Sequence, residues 1–194
     1  MSWFKPKKLD DPRELEVSMA GLKLGSQVLQ VDGNDPDLIA VLAKQIGLSG
    51  RAAAVARTAS AASAFEHSAE KAGVLVEVFQ SALSTLPFDD DVFDLVVLKN
   101  LLSEVYQNER VLCLQQVYRV LRVGGRCLVI DRAMRGGLGA AFSKRAMDPH
   151  YLRRGGATAA LDAEGFRGVR FLADRDGRVF SEGVKPEGSE TGAS

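Results

Sequence analysis

The chain has 194 residues, 46% hydrophobic and 26% charged, with 25 basic and 25 acidic side chains and a formal net charge of zero. Such a length fits one domain with a sizeable core, and the even charge balance argues against nucleic-acid binding driven by bulk electrostatics. No apolar run reaches the length of a membrane span, and the basic start Met1-Ser2-Trp3-Phe4-Lys5-Pro6-Lys7-Lys8 lacks the apolar stretch of a signal peptide. The only cysteines, Cys113 and Cys127, are too few for a disulfide framework and read as buried thiols, which makes the cytoplasm the expected compartment.

Residues 1–12 read as an N-terminal arm, residues 13–186 as the folded domain, and the Gly/Ser/Glu-rich stretch 187–194 as a disordered tail. Within the domain, strand and helix patterns alternate. Val28-Leu29-Gln30-Val31 is a short apolar strand. Asp35 is placed to cap a helix that starts at Pro36. Leu38, Ile39, Leu42 and Ile46 repeat at helical spacing until Gly47. Gly50 to Arg57 is an alanine-rich strand, Ala59 to Ala72 a helix stopped by Gly73, and Val74 to Phe79 a third strand. Phe93 to Leu98 is a fourth, strongly apolar strand. Glu109 to Leu121 is a helix, Gly124-Gly125 a turn, and Cys127 to Ile130 a fifth strand. A helix over Ala157 to Glu164 leads into Arg167–Leu172 and Arg178–Gly183, a hairpin turning at Asp176-Gly177. Alternating units with continuous apolar strands predict a mostly parallel sheet covered by helices on both faces, with an antiparallel strand at the C-terminus.

Three segments carry a more specific signal: Leu86-Pro87-Phe88, then Phe93-Asp94-Leu95-Val96-Val97, then Arg119-Val120-Leu121-Arg122-Val123-Gly124-Gly125-Arg126. In that order and spacing the chain resembles the class I S-adenosylmethionine (SAM)-dependent methyltransferases over roughly Leu24 to Pro186. Its nearest likeness is to enzymes that modify quinones, sterols and similar small acceptors. The resemblance implies an α/β, Rossmann-like seven-stranded sheet, mostly parallel with an antiparallel C-terminal strand, and SAM bound over the carboxyl ends of the first three strands.

The positions that the resemblance assigns to the cofactor depart from the family pattern. The family's first loop reads hydrophobic-hydrophobic-D-hydrophobic-G-x-G-x-G. In this chain the acid falls on Gln30 and the glycines on Asp32, Asn34 and Pro36, while Gly33 stands one position out of phase. Pro36 has no amide proton, and Asp32, Asp35 and Asp37 bring negative charge to the loop. The family's acid after the second strand, which accepts hydrogen bonds from both ribose hydroxyls, falls on Ala56, with Arg57 beside it. Loss of a charged acceptor there costs about 1.5–3 kcal/mol per bond. The adenine-reading position falls on Ser81, or on Gln80 if the register shifts.

The acceptor face in the family is lined by the loop after the fourth strand, here Lys99-Asn100-Leu101-Leu102-Ser103-Glu104. Asn100, Glu104, Tyr106 and His150 are the candidate catalytic residues. The plainer expectation is that Lys99 belongs to a solvated rim and Glu104 to a helix surface. His67 reads as exposed. The basic insert 132–154, with Arg153 and Arg154, suits an anionic acceptor, an acidic partner or a membrane surface. No residue spacing resembles a metal site.

Three functions follow. The first is a protein with a degraded SAM site that binds SAM weakly or not at all and acts as a non-catalytic scaffold for a protein partner. The second is an active methyltransferase for a small-molecule acceptor, with Gly33, Asp32 and Gln80 or Ser81 rebuilding the site. The third is a pocket for a phosphorylated ligand, in which Arg57 meets the phosphate.

Overall fold

The computed structural model describes residues 12–133 and 148–187. The arm, the tail and most of the basic insert therefore lie outside the described residues. The elements in chain order are α1 (Pro12–Ala20), β1 (Gln27–Val31), α2 (Pro36–Ile46), β2 (Arg51–Ala56), α3 (Ala59–Ala72), β3 (Glu77–Gln80), β4 (Phe93–Lys99), α4 (Gln107–Val120), β5 (Leu121–Arg132), α5 (Pro149–Arg153), α6 (Gly156–Ala163), β6 (Arg167–Arg175) and β7 (Arg178–Val184).

The strands form one seven-stranded sheet in the order β3-β2-β1-β4-β5-β7-β6. β1 pairs in parallel with β2 and β4, and β7 runs antiparallel to both β5 and β6. This is the expected layout. Its central strands are buried on both faces: every residue of Val28–Val31, Ala52–Ala56 and Leu95–Lys99 is buried. Strands covered on both sides need apolar residues at every position, not at alternate ones.

The sheet divides the core in two. On one face α1, α2 and α3 pack through Leu15, Leu38, Ile39, Leu42, Ile46 and Phe65. On the other, α4, α5 and α6 pack through Cys113, Leu114, Val117, Tyr151 and Leu161. Each buried Leu, Ile or Phe contributes about 1.5–3 kcal/mol, so the helical repeat of α2 is enough to fix which side faces the sheet.

Three boundaries differ from the sequence reading. β3 begins at Glu77, not Val74, because the Val74 amide donates to Ala69 O and closes the end of α3. Gly124-Gly125 lies inside β5, where Gly124 N donates to Lys185 O and Lys185 N to Gly125 O, continuing the pairing with the chain after β7. Asp35 occupies the N-cap of α2 without a side-chain capping bond. Helix α1 is an addition that the sequence reading assigned no element.

Candidate functional site

The carboxyl ends of β1, β2 and β4 meet at the loop from Asp32 to Asp35. Gln30 is fully buried below it, and its Nε2 donates to Asp35 O at 3.0 Å and to Asp32 O at 3.3 Å. Its Oε1 is buried without a hydrogen-bond partner among the described residues. Asp32 takes a left-handed backbone with φ 46°, a conformation that favours glycine. Gly33 follows at φ 97°, and a Cβ there would lie 2.8 Å from Lys99 O. The loop is thus pressed against the end of β4. Asn34 Nδ2 reaches Glu104 Oε2 at 3.4 Å.

Lys99 is not on a solvated rim. It is 6% exposed, and its ammonium donates to Glu16 Oε1 and to Asp35 Oδ2. Arg13 adds a two-pronged bond to the Asp35 carboxylate at 2.7 and 3.0 Å, and Arg178 stands 3.3 Å from Glu16. Burial alone would raise the Asp35 carboxyl, but the hydrogen bonds from Arg13 and Lys99 outweigh it and hold Asp35 below the usual carboxylate range. This engagement is the reason that Asp35 does not cap α2. A lysine closing the apolar run Leu95-Val96-Val97-Leu98 was the available signal, since a buried ammonium requires carboxylate partners.

Ala56 ends β2 and is fully buried. Arg57 next to it turns back over the loop. Its Nε donates to Asp32 Oδ2 at 2.6 Å, and its Nη1 reaches Glu109 Oε1 at 3.4 Å. The guanidinium expected to meet a phosphate is therefore committed to two carboxylates of the chain itself. Beyond it lies an open groove of about 730 Å³ lined by Arg57, Gln80, Ser81, Tyr106, Asn108 and Glu109, among others. The Ser81 hydroxyl points back into its own turn and donates to Thr85 O at 2.5 Å.

On the acceptor side, Asn100 has φ 55° and its amide donates to Ile130 O. Glu104 lies in the turn before α4, beside Asn34, not on a helix surface. His150 is exposed and meets Arg153 Nη2 at 3.2 Å, so the structure does not bring it to the residues around Asn100 and Glu104 through any contact of its ring.

A different buried cluster occupies that side. Tyr151 donates to Asp131 Oδ2 at 2.8 Å, and the Arg110 guanidinium stacks 4.3 Å from the Tyr151 ring centre. Arg110 donates to Leu102 O, Val105 O and Asp148. Asp131 Oδ1 is buried without a hydrogen-bond partner among the described residues. Burial pushes the Asp131 carboxyl up, and the bonds from Tyr151 and Ser103 with the charge of Arg110 offset this in part. The sequence signal was an aspartate ending the apolar strand Leu128-Val129-Ile130. Cys113 and Cys127 are buried free thiols, and burial pushes Cys113 up to about 12.

The sequence pattern of the family described as "Methyltransferase domain" matches residues 37–129, beginning just after the loop from Asp32 to Asp35. The ubiquinone/menaquinone biosynthesis C-methyltransferase UbiE of Escherichia fergusonii is 28% identical over 180 residues, covering 84% of this chain and 67% of the relative. A SAM-dependent methyltransferase from Aquifex aeolicus superposes with a TM-score of 0.70 at 21% identity, covering 92% of this chain and 95% of that one. The cyclase SpnF superposes with a TM-score of 0.67 at 16% identity, covering 91% of this chain and 80% of that one. Strand order, sequence match and superposition agree: the chain has a class I methyltransferase-like fold.

Proposed function

We propose that this protein is a divergent member of the methyltransferase fold that binds SAM weakly or not at all and works as a non-catalytic binding or scaffold protein. The observation that carries this reading is the Asp32–Arg57 ion pair at 2.6 Å, which joins the ends of β1 and β2. By the resemblance, those ends receive the methionine and ribose parts of the cofactor. SAM there would meet a committed guanidinium, and Ala56 offers no side-chain acceptor to the ribose hydroxyls. The Gln30 amide donates to its own loop, where the family's acid serves the ligand ammonium. These residues do not fit SAM.

Isothermal titration with SAM and with its demethylated product tests the reading. The expected result is no heat of binding at micromolar concentrations. Low-micromolar affinity for either compound overturns it.

A second reading, an active methyltransferase acting on a small-molecule acceptor, is favoured by the open groove beside Gln80, Ser81 and Asn108. Cofactor retained through purification from cells would support it, and absence of binding at millimolar SAM would end it.

A further inference from the structure

At the opposite edge of the sheet, where the parallel strands begin, three leucines stand in solvent. Leu24 is 79% exposed, Leu48 100% and Leu75 86%. They occupy the turns that feed β1, β2 and β3, which are neighbours in the sheet. Each sits within two residues of a glycine with positive φ: Gly25, Gly47 and Gly73. Leu24 and Leu48 are tied together locally, because Gly25 N donates to Ile46 O and Arg51 N to Ser26 O. The Leu24 side chain also lies against Gly47. Leu24 and Leu48 are tips of fixed turns, and Leu75 stands in the link between α3 and β3.

Cations surround them. α2 and α3 return across the sheet, so their last turns, with Lys44 and Lys71, end at this same edge. Lys23 adjoins Leu24. All three lysines are exposed, and their ammonium groups have no ion-pair partner among the described residues. Of the nearby carboxylates, Glu77 is held by Arg51 at 2.7 Å, Glu70 stands on the last turn of α3, and Asp89 lies close enough to act on Arg51. With Arg51 and Glu77 paired, the three lysines stand against Glu70 and Asp89, an excess of one positive charge carried by ammonium groups beside the leucines.

We propose that this edge docks on an anionic lipid bilayer, with Leu24, Leu48 and Leu75 entering the interface and Lys23, Lys44 and Lys71 facing the phosphates. Protruding aliphatic tips suit a deformable apolar layer, and unpaired lysines beside them suit anionic headgroups. A second copy of the chain would oppose lysine to lysine, which the charge pattern disfavours. Strands of five to seven residues rise about 3.3 Å per residue, so the groove at the carboxyl ends would face away from the lipid. The surface would then act as a tether.

The test is sedimentation of the full chain with vesicles of phosphatidylcholine alone and of phosphatidylcholine with phosphatidylglycerol. Binding is expected to the anionic vesicles only, and it should weaken as salt rises to about 0.15 M. Leu48→Ser with Leu75→Ser, and separately Lys44→Glu with Lys71→Glu, should each lower partitioning by about tenfold or more. All four positions are exposed, and circular dichroism checks that the variants fold. No binding to anionic vesicles overturns the proposal. So does binding that neither pair of substitutions weakens, which would place contact elsewhere, as in the basic insert. Binding of a soluble acidic peptide through these residues without vesicle binding overturns it as well. SAM titration reads the other edge of the sheet, so the two tests fail independently.

Discussion

Arg57 Nε lies 2.6 Å from Asp32 Oδ2, and the Asp32 amide donates to Val55 O, so the ends of β1 and β2 are joined through both side chain and backbone. Charge-assisted bonds of this kind, partly shielded from water, contribute more than surface pairs. Arg57→Met and Asp32→Asn are each expected to lower stability by about 1–2 kcal/mol. The double variant should lose less than the sum, with a coupling of about 1 kcal/mol. Urea midpoints of the four proteins measure this; additive losses would show that the pair is not coupled.

Restoring the family's residues tests the site assignment from the other direction. Gln30→Asp alone is expected to cost about 2–4 kcal/mol, because it removes two donated bonds and sets an acceptor-only group against Asp32 O and Asp35 O. With Asp32→Gly, Asn34→Gly, Pro36→Gly and Ala56→Asp added, the protein should bind SAM, whose ammonium and ribose hydroxyls supply the missing donors. Calorimetry and a rise in melting temperature on adding SAM are the readouts. A folded quintuple variant with no binding would refute the assignment of these positions.

Gly33 and Gly73 both have positive φ, but their surroundings differ. A Cβ at Gly73 meets nothing within 4 Å, whereas one at Gly33 meets Lys99 O at 2.8 Å. Gly73→Ala should cost about 1 kcal/mol from backbone conformation alone. Gly33→Ala should cost at least about 2 kcal/mol more, because the loop must also move off β4. Equal losses in thermal or chemical denaturation would mean that the loop is not held against the strand.

Asp131 makes stability depend on pH in a known direction. Its folded carboxyl is raised by burial, so between the ordinary carboxylate pKa and the raised one the folded state binds more protons than the unfolded state. Stability therefore falls as pH rises through that window. Asp131→Asn keeps an acceptor for Tyr151 and cannot ionise. It is expected to raise the melting temperature by a few degrees above the window and to have little effect below it. The same shift at every pH would point to packing instead of charge.

The mostly parallel sheet and both helical layers were legible because they rest on repeats that a sequence displays: Leu38, Ile39, Leu42 and Ile46 at helical spacing, and unbroken apolar runs such as Leu95 to Leu98. The helix stop at Gly73 also read cleanly, whereas the cap at Thr58, which accepts from Ala61 N, came with the structure. Long-range polar partnership did not. Lys99 reaches Glu16 across 83 positions and Asp35 across 64, and no local pattern encodes such distances. The same holds for Tyr151 with Asp131, separated by 20 positions. The residues of the loop from Asp32 to Asp35 could be named from the sequence, but the partners that they bond to came only with the fold.

Helix α1 has consequences for how this molecule opens. Arg13 and Glu16 bind Asp35, Lys99 and Arg178, so a nine-residue helix is fastened at once to the first loop, to β4 and to β7. Releasing the loop means breaking charges on the helix, and fraying the helix leaves Lys99 without one of its carboxylates. The two segments form one cooperative opening unit, and their amide protons should exchange with solvent at matched protection under native conditions.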